Sequence, residues 1–284
     1  MQNKYEIINT IVSFDFIANE SFEHIFAKYI VSSDSKANIT FTSKYVDKIE
    51  IKEEDVSIKG PGYLVGTENG EGFYILSERN KHIGKIIGCD YSGKYRVEVL
   101  MGANPYYVEY VMLQCGLSRY FALHKNAMFI HASAISYKGK AIMFSAPSGT
   151  GKSTHSRLWK EYYDVKYVND DKNFVILEDD KLYVYGTPIS GKHQLDNNIK
   201  SELIGLVFLK QAPYNKITKL NKMSAFMQLF NQIQRPEFEN DMNKLMPIID
   251  KIIDFPCYQL ECTISKEAVD LVKKEYFGGN DDED

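Results

Sequence analysis

Ser148-Gly149-Thr150-Gly151-Lys152-Ser153-Thr154 has the residue types and spacing needed to hold phosphate. Glycines let a loop wrap its backbone N–H groups around anionic oxygens, and the positive end of a following helix favours the same anion. Lys152 brings a point charge that reaches the outer phosphates, and Ser153 brings a hydroxyl suited to Mg²⁺. The ligand of such a loop is a nucleotide; the competing reading is a Gly/Ser-rich turn ahead of a surface helix. The usual form of the loop begins with Gly, and Ala146 stands in that place, where a positive φ would be costly.

Chemistry at a bound phosphate needs a metal ligand besides the loop hydroxyl, and often a base that takes a proton from the acceptor. Asp170-Asp171 supplies both residue types just after the strand-like run Val165–Val168. Adjacent side chains at a strand end diverge, so one can face a metal and the other an acceptor. An Asx turn before a hairpin is the plainer reading of the pair. His131 falls within the strand-like run Ala127–Ser136, where a lone His is commonly a hydrogen-bonded packing residue. His155 follows the loop and fits polar space along the helix. A second Gly-rich turn, Gly186-Thr187-Pro188-Ile189-Ser190-Gly191-Lys192-His193, reads as a lid or acceptor-binding loop, or as a connector. Lys192 is its useful charge.

These residues need a strand before the loop and a helix after it. Ala141–Phe144 is an apolar run of strand length, and Ser156–Glu161 is helix-competent. Three strand-like runs follow at Val165–Val168, Phe174–Leu177 and Leu182–Tyr185, and Leu203–Leu209 reads as a buried central strand. Helices are expected at Met223–Ile233 and at Phe238–Ile253, the latter interrupted by Pro247. The strand Tyr258–Cys262 and a helix capped by Ser265 close the region. Upstream, Asn38–Phe41, Gly72–Leu76, His82–Ile87 and Tyr95–Leu100 are rich in β-formers and separated by turn signals such as Asn69-Gly70. Helices are expected near Glu20–Tyr29 and Tyr107–His124. The division that follows is a β-rich region over 1–104, an α/β region over 105–280 and an acidic tail over 281–284.

A chain of 284 residues with 44% hydrophobic and 25% charged residues buries a large core. Its net charge of −4, without a long basic run, argues against nucleic acid as a partner. No apolar segment is long enough to span a bilayer, and Asn9, Ser13 and Asp15 break the apolar N-terminal stretch, so a cytoplasmic protein is expected. Cys89, Cys115, Cys257 and Cys262 match no zinc-site spacing; Cys257 and Cys262 read as buried free thiols.

Ile130-His131-Ala132-Ser133, the Ser148–Thr154 loop, Val168-Asn169-Asp170-Asp171 and Gly186-Thr187-Pro188 occur in an order that resembles the kinase domain of the HPr kinase/phosphorylase family. The resemblance is good from about residue 120 to about residue 210 and loose over the rest of the C-terminal half. It implies a phosphoenolpyruvate carboxykinase-like P-loop kinase core preceded by the β-rich region. It implies ATP and Mg²⁺, with Ser148, Gly149, Thr150, Gly151, Lys152, Ser153 and Thr154 on the nucleotide and Ser153 and Asp171 on the metal. Asp170 is implied as the base toward the acceptor hydroxyl and His131 as the residue that tunes it; Lys152 of the loop and Lys192 of the second Gly-rich turn, read from their own segments, are expected as further catalytic groups. The layout looks most like relatives that phosphorylate Ser or Thr of small precursor peptides. The HPr enzymes carry a Glu/Arg/Gly-containing signature after the Asp pair, where this chain has only Gly186–His193. The expectation is therefore kept to phosphate transfer onto a peptide or protein hydroxyl. A kinase of an amino acid or sugar, and a nucleotide-binding regulator that transfers nothing, are the other readings. The Asp pair favours transfer, because binding alone needs at most one metal-side carboxylate. The partners expected are a nucleotide and that acceptor, with no membrane and with room for a homo-oligomer.

Overall fold

The computed structural model describes residues 3–32, 34–88, 92–191, 193–233 and 239–278, with backbone only at 239–242. The protein is a mixed α/β molecule with two sheets, and the chain divides into two compact units, with the main break at Lys125/Asn126 and residues 239–241 grouped with the first unit.

The first unit is a nine-stranded sheet. Its strands are β1 (Lys4–Glu6), β2 (Ile11–Asp15), β3 (Ile30–Val31), β4 (Ile39–Val46), β5 (Val56–Gly60), β6 (Tyr63–Glu68), β7 (Glu71–Glu78), β8 (Lys81–Ile87) and β9 (Lys94–Leu100), in the order β3-β1-β2-β4-β9-β8-β7-β6-β5. Helix α1 (Asn19–Phe26) buries Phe22 and Phe26 against Phe14, with ring centroids 5.5 and 5.1 Å away. Helix α2 (Pro105–Lys125) was expected to open the second region, but it lies with this sheet. The cause is close packing: a Cβ on Gly84 would collide with Val108, and one on Gly116 with Phe41. Glu109 of α2 is buried and accepts from the backbone N–H groups of Ile17 and Ala18 at 2.7 and 3.0 Å and from the Ser43 hydroxyl.

The second unit carries β10 (Ala127–Tyr137), β11 (Lys140–Ser145), α3 (Lys152–Tyr162), β12 (Lys166–Asn169), β13 (Lys172–Glu178), β14 (Lys181–Tyr185), β15 (Lys200–Gln211), β16 (Lys216–Lys219), α4 (Lys222–Phe230), α5 (Glu239–Asp254), β17 (Cys257–Cys262) and α6 (Lys266–Phe277). The sheet runs β11-β10-β13-β14-β15-β17-β16; β11 also pairs with β15, and β12 pairs with β10. Helices α3 and α6 cover one face. Trp159 is wholly buried there with Phe144, Val207, Leu260, Val269 and Val272. Ser265 caps α6 as expected, accepting from the Ala268 N–H. The helix expected over Met223–Ile233 ends at Phe230, because the chain then pairs with β10: Ile233 bridges Ile130, and the His131 N–H donates to the Gln232 carbonyl at 2.8 Å. Cys257 is buried, whereas Cys262 is only half-buried; Cys89 and the tail 281–284 lie outside the described residues. Among the described residues no helix is long and apolar enough to cross a membrane.

Candidate functional site

Strand β11 delivers the chain to the loop and α3 carries it away. Gly149 and Gly151 take φ of +80° and +112°, a left-handed geometry that only glycine adopts without strain. Gly151 is the N-cap of α3, and no side chain caps that helix end, whereas Asn221 and Ser265 cap α4 and α6. The first-turn N–H groups of α3 therefore face the loop without a side-chain acceptor. The strain expected at Ala146 does not arise, since Ala146 is not among the residues with positive φ. It is buried in the core beside Phe144, and its carbonyl accepts from Lys152 Nζ at 2.9 Å. Lys152 itself is only 7% exposed. Burial lowers the pKa of its ammonium, and the charge of Asp171 works against that shift.

Asp170 and Asp171 form the corner between β12 and β13, both of which pair with β10. Ala134 sits opposite Asn169, His131 sits opposite Lys172, and the Ala132 N–H donates to the Asp171 carbonyl at 2.9 Å. That register brings His131 to Asp171, Nε2 to Oδ1 at 2.9 Å. The resemblance implied that His131 tunes Asp170; its hydrogen-bond partner is the other carboxylate. Burial pushes Asp171 upward, but the hydrogen bond and charge of His131, with Lys172 and Lys152, outweigh it and hold the carboxyl below its usual range.

Asp170 is different in kind. It is 2% exposed; Oδ1 accepts from the Gly191 N–H at 2.7 Å, and Oδ2 is buried with no hydrogen-bond partner in the protein. Burial raises its pKa, outweighing the Gly191 bond, and the charge of Asp171 adds to the rise. The Ser153 hydroxyl lies 3.5 Å from the Asp170 carbonyl, so the loop and the Asp corner are neighbours.

A residue given no role in the sequence reading holds this corner. Asn169 is fully buried. Its side-chain oxygen accepts from the N–H groups of Asp171 and Lys172, both at 2.9 Å, and its Nδ2 donates to the carbonyls of Thr187 and Ile189, also at 2.9 Å. One amide thus ties the Asp corner to the second Gly-rich turn. The position next to an Asp pair was the available signal, since Asn favours such side chain-to-backbone bonds.

His131, Ser148, Gly149, Gly151, Lys152, Ser153, Thr154, Asp170, Asp171 and Gly191 line one cavity of about 450 Å³. Arg157, which was missed, lines it too, as does His193 of the second Gly-rich turn. Arg157 could have been found from helical spacing, because it stands one turn beyond Ser153 on the same face. Lys192 lies outside the described residues. Among the described residues no three His, Cys, Asp or Glu side chains form a metal cage.

No protein-family model matches the chain, and no curated protein matches it. Among solved structures, the HPr(Ser) kinase/phosphatase of Coxiella burnetii overlays with a TM-score of 0.30 at 12% identity, over 52% of this chain and 95% of that one. At that TM-score the overlay carries no argument about fold or activity.

Proposed function

We propose that this protein is a phosphotransferase that moves the γ-phosphate of ATP to a Ser or Thr hydroxyl of a peptide or protein, on a carboxykinase-like P-loop core. The observation that carries the reading is the cavity itself: a buried loop lysine and a buried carboxylate oxygen without a protein partner line the same hollow.

The residue environments suit distinct roles. Lys152 neutralises charge on the outer phosphates, helped by the uncapped N–H groups of α3. Asp170 Oδ2 takes the proton of the acceptor hydroxyl; its raised pKa increases its proton affinity. The acceptor oxygen then bonds to phosphorus as the bond to the nucleoside diphosphate breaks. Asp171, held ionised and oriented by His131, and the Ser153 hydroxyl would hold Mg²⁺. A divalent ion there offsets the phosphate charge when bound. One carboxylate and one hydroxyl without a protein cage suit Mg²⁺, which relies on phosphate oxygens and water for its remaining ligands. The orphaned Oδ2 and the glycine cradle fit this set.

The test is incubation of the full chain with Mg·ATP and a panel of Ser- and Thr-containing peptides, with free serine and sugars beside them. Mass spectrometry then looks for one added phosphate. Phosphate on a peptide hydroxyl, lost in Asp170→Asn, is the expected result. Phosphate only on the small molecules would replace the acceptor class, and ATP binding without any transfer would leave a regulator.

A further inference from the structure

The cavity that holds the Asp corner has a neighbour. On the other flank of the phosphate loop a second hollow, of about 440 Å³, shares Gly149, Gly151 and Thr154 with the first. Its chemistry is the opposite. No acidic, Lys or Arg side chain lines it, and Leu158, Leu209 and the 77% exposed Ile264 give it apolar walls. Gln211 joins it to the loop by donating to the Thr150 carbonyl at 3.2 Å.

His155 lines this hollow and is 3% exposed. Its ring sits edge-on to Phe144, 4.6 Å between centroids, and Nε2 has no hydrogen-bond partner in the protein. Leaving a buried ring nitrogen unpartnered costs stability, and such an atom calls for a ligand group or another explanation.

We propose that this second hollow holds the nucleoside of the phosphate donor, with His155 Nε2 as a polar contact and Leu209 and Ile264 as apolar walls. The inference rests on the phosphate-donor reading above and adds where the base goes. In-line transfer puts the terminal phosphate on the Asp170 flank, so the remaining phosphates run back across Gly149 and Gly151. The base then leaves the loop on the opposite flank. The volume and the mix of apolar walls with few polar groups suit a flat heteroaromatic ring.

Calorimetry on the full chain with ATP and with inorganic tripolyphosphate tests this, in the wild type, His155→Phe and Ile264→Ala. Phe matches the ring shape against Phe144 while deleting the nitrogen. Ile264 is exposed, so its variant keeps the test valid if the buried substitution fails to fold. ATP is expected to bind more tightly than tripolyphosphate in the wild type. Each variant should weaken ATP by roughly fivefold and change tripolyphosphate by less than about twofold. Tripolyphosphate binding as tightly as ATP, or variants that weaken both ligands alike, would overturn the nucleoside site and leave the phosphate loop standing. If neither ligand binds, the phosphate-donor reading fails and this inference fails with it.

Discussion

Both units bury ionisable side chains, and they treat them in opposite ways. In the first unit Lys85 is 3% exposed, donates to the Glu50 carbonyl at 3.1 Å and pairs with Glu68. Glu109 accepts from two backbone N–H groups and a hydroxyl. The protein closes both groups itself, as scaffolds do, because a buried unpaired charge costs several kcal/mol. In the second unit Asp170 keeps one oxygen without a protein partner and His155 keeps one nitrogen, on two sides of the same loop. The first sheet closes its buried Lys85 and Glu109, whereas the loop of the second leaves a buried Asp and a buried His incomplete, where a ligand can restore the stability given up.

The largest effects should fall on the buried groups that line the phosphate cavity and appear in activity, not in folding. Lys152→Ala and Asp170→Asn are each expected to lower phosphate transfer by about a thousandfold. Their circular-dichroism spectra should match the wild type. Asp170→Asn should retain Mg·ATP binding by calorimetry, while Asp171→Asn should raise the Mg²⁺ concentration needed for half-maximal turnover. Full activity in both Asp variants would return the pair to a structural turn.

Next comes the residue that joins the corner to the second turn. Asn169→Leu strands two N–H groups and two carbonyls, and should cost about 3 kcal/mol in urea unfolding. Activity should fall in the same variant, because both Asp side chains lose their mount. A loss of activity without a loss of stability would separate the two roles that the geometry joins.

A matched pair of carboxyl-to-amide swaps sharpens the contrast. Glu109→Gln places an NH₂ against a backbone N–H and should destabilise by about 1–2 kcal/mol with no change in ATP binding. Asp170→Asn keeps the bond from Gly191 through its oxygen and removes a buried charge, so it should stabilise by about 1 kcal/mol at neutral pH. Denaturation at pH 7 reads both signs. Two losses of equal size would erase the distinction between the units.

How much of this could be read in advance depended on whether neighbours along the chain or pairing between strands decided it. Strand β11, the loop and α3 follow from local pattern: an apolar run, glycines at the two left-handed positions and a helix former. Ser265 announced its helix for the same reason. Strand β5 did not, because it is only five residues long and three of them are exposed, so its burial does not follow the alternation of its residues. The partner of His131 could not be read either. It depends on the register of β10 against β12 and β13, which shifts between Ala134 and Ile135, and a one-residue slip there would exchange the two Asp residues. Nor could the place of α2 be read, because it rests on close approach at Gly84, which meets Val108, and at Gly116, which meets Phe41, and local pattern does not show such contacts.

The last prediction concerns His155 and pH, and at neutral pH its effect vanishes. An ordinary imidazole titrates at 6.5, and in the fold burial pushes His155 to about 3. Between those values the unfolded chain holds a proton that the folded chain refuses. Stability from the neutral, buried ring is therefore fully present above pH 6.5 and lost as pH falls toward 3. The slope for one such proton is about 1.4 kcal/mol per pH unit. Carboxylates also make the protein acid-sensitive, so the wild-type curve alone does not isolate the ring. His155→Phe removes this one proton and keeps the packing against Phe144. Urea unfolding at steps from pH 7.5 to 4.5 should show the variant losing stability less steeply than the wild type, with the curves differing in slope only below about pH 6.5. Parallel curves across that range would mean that the folded state lets His155 take up its proton, and the buried neutral ring would have to be abandoned.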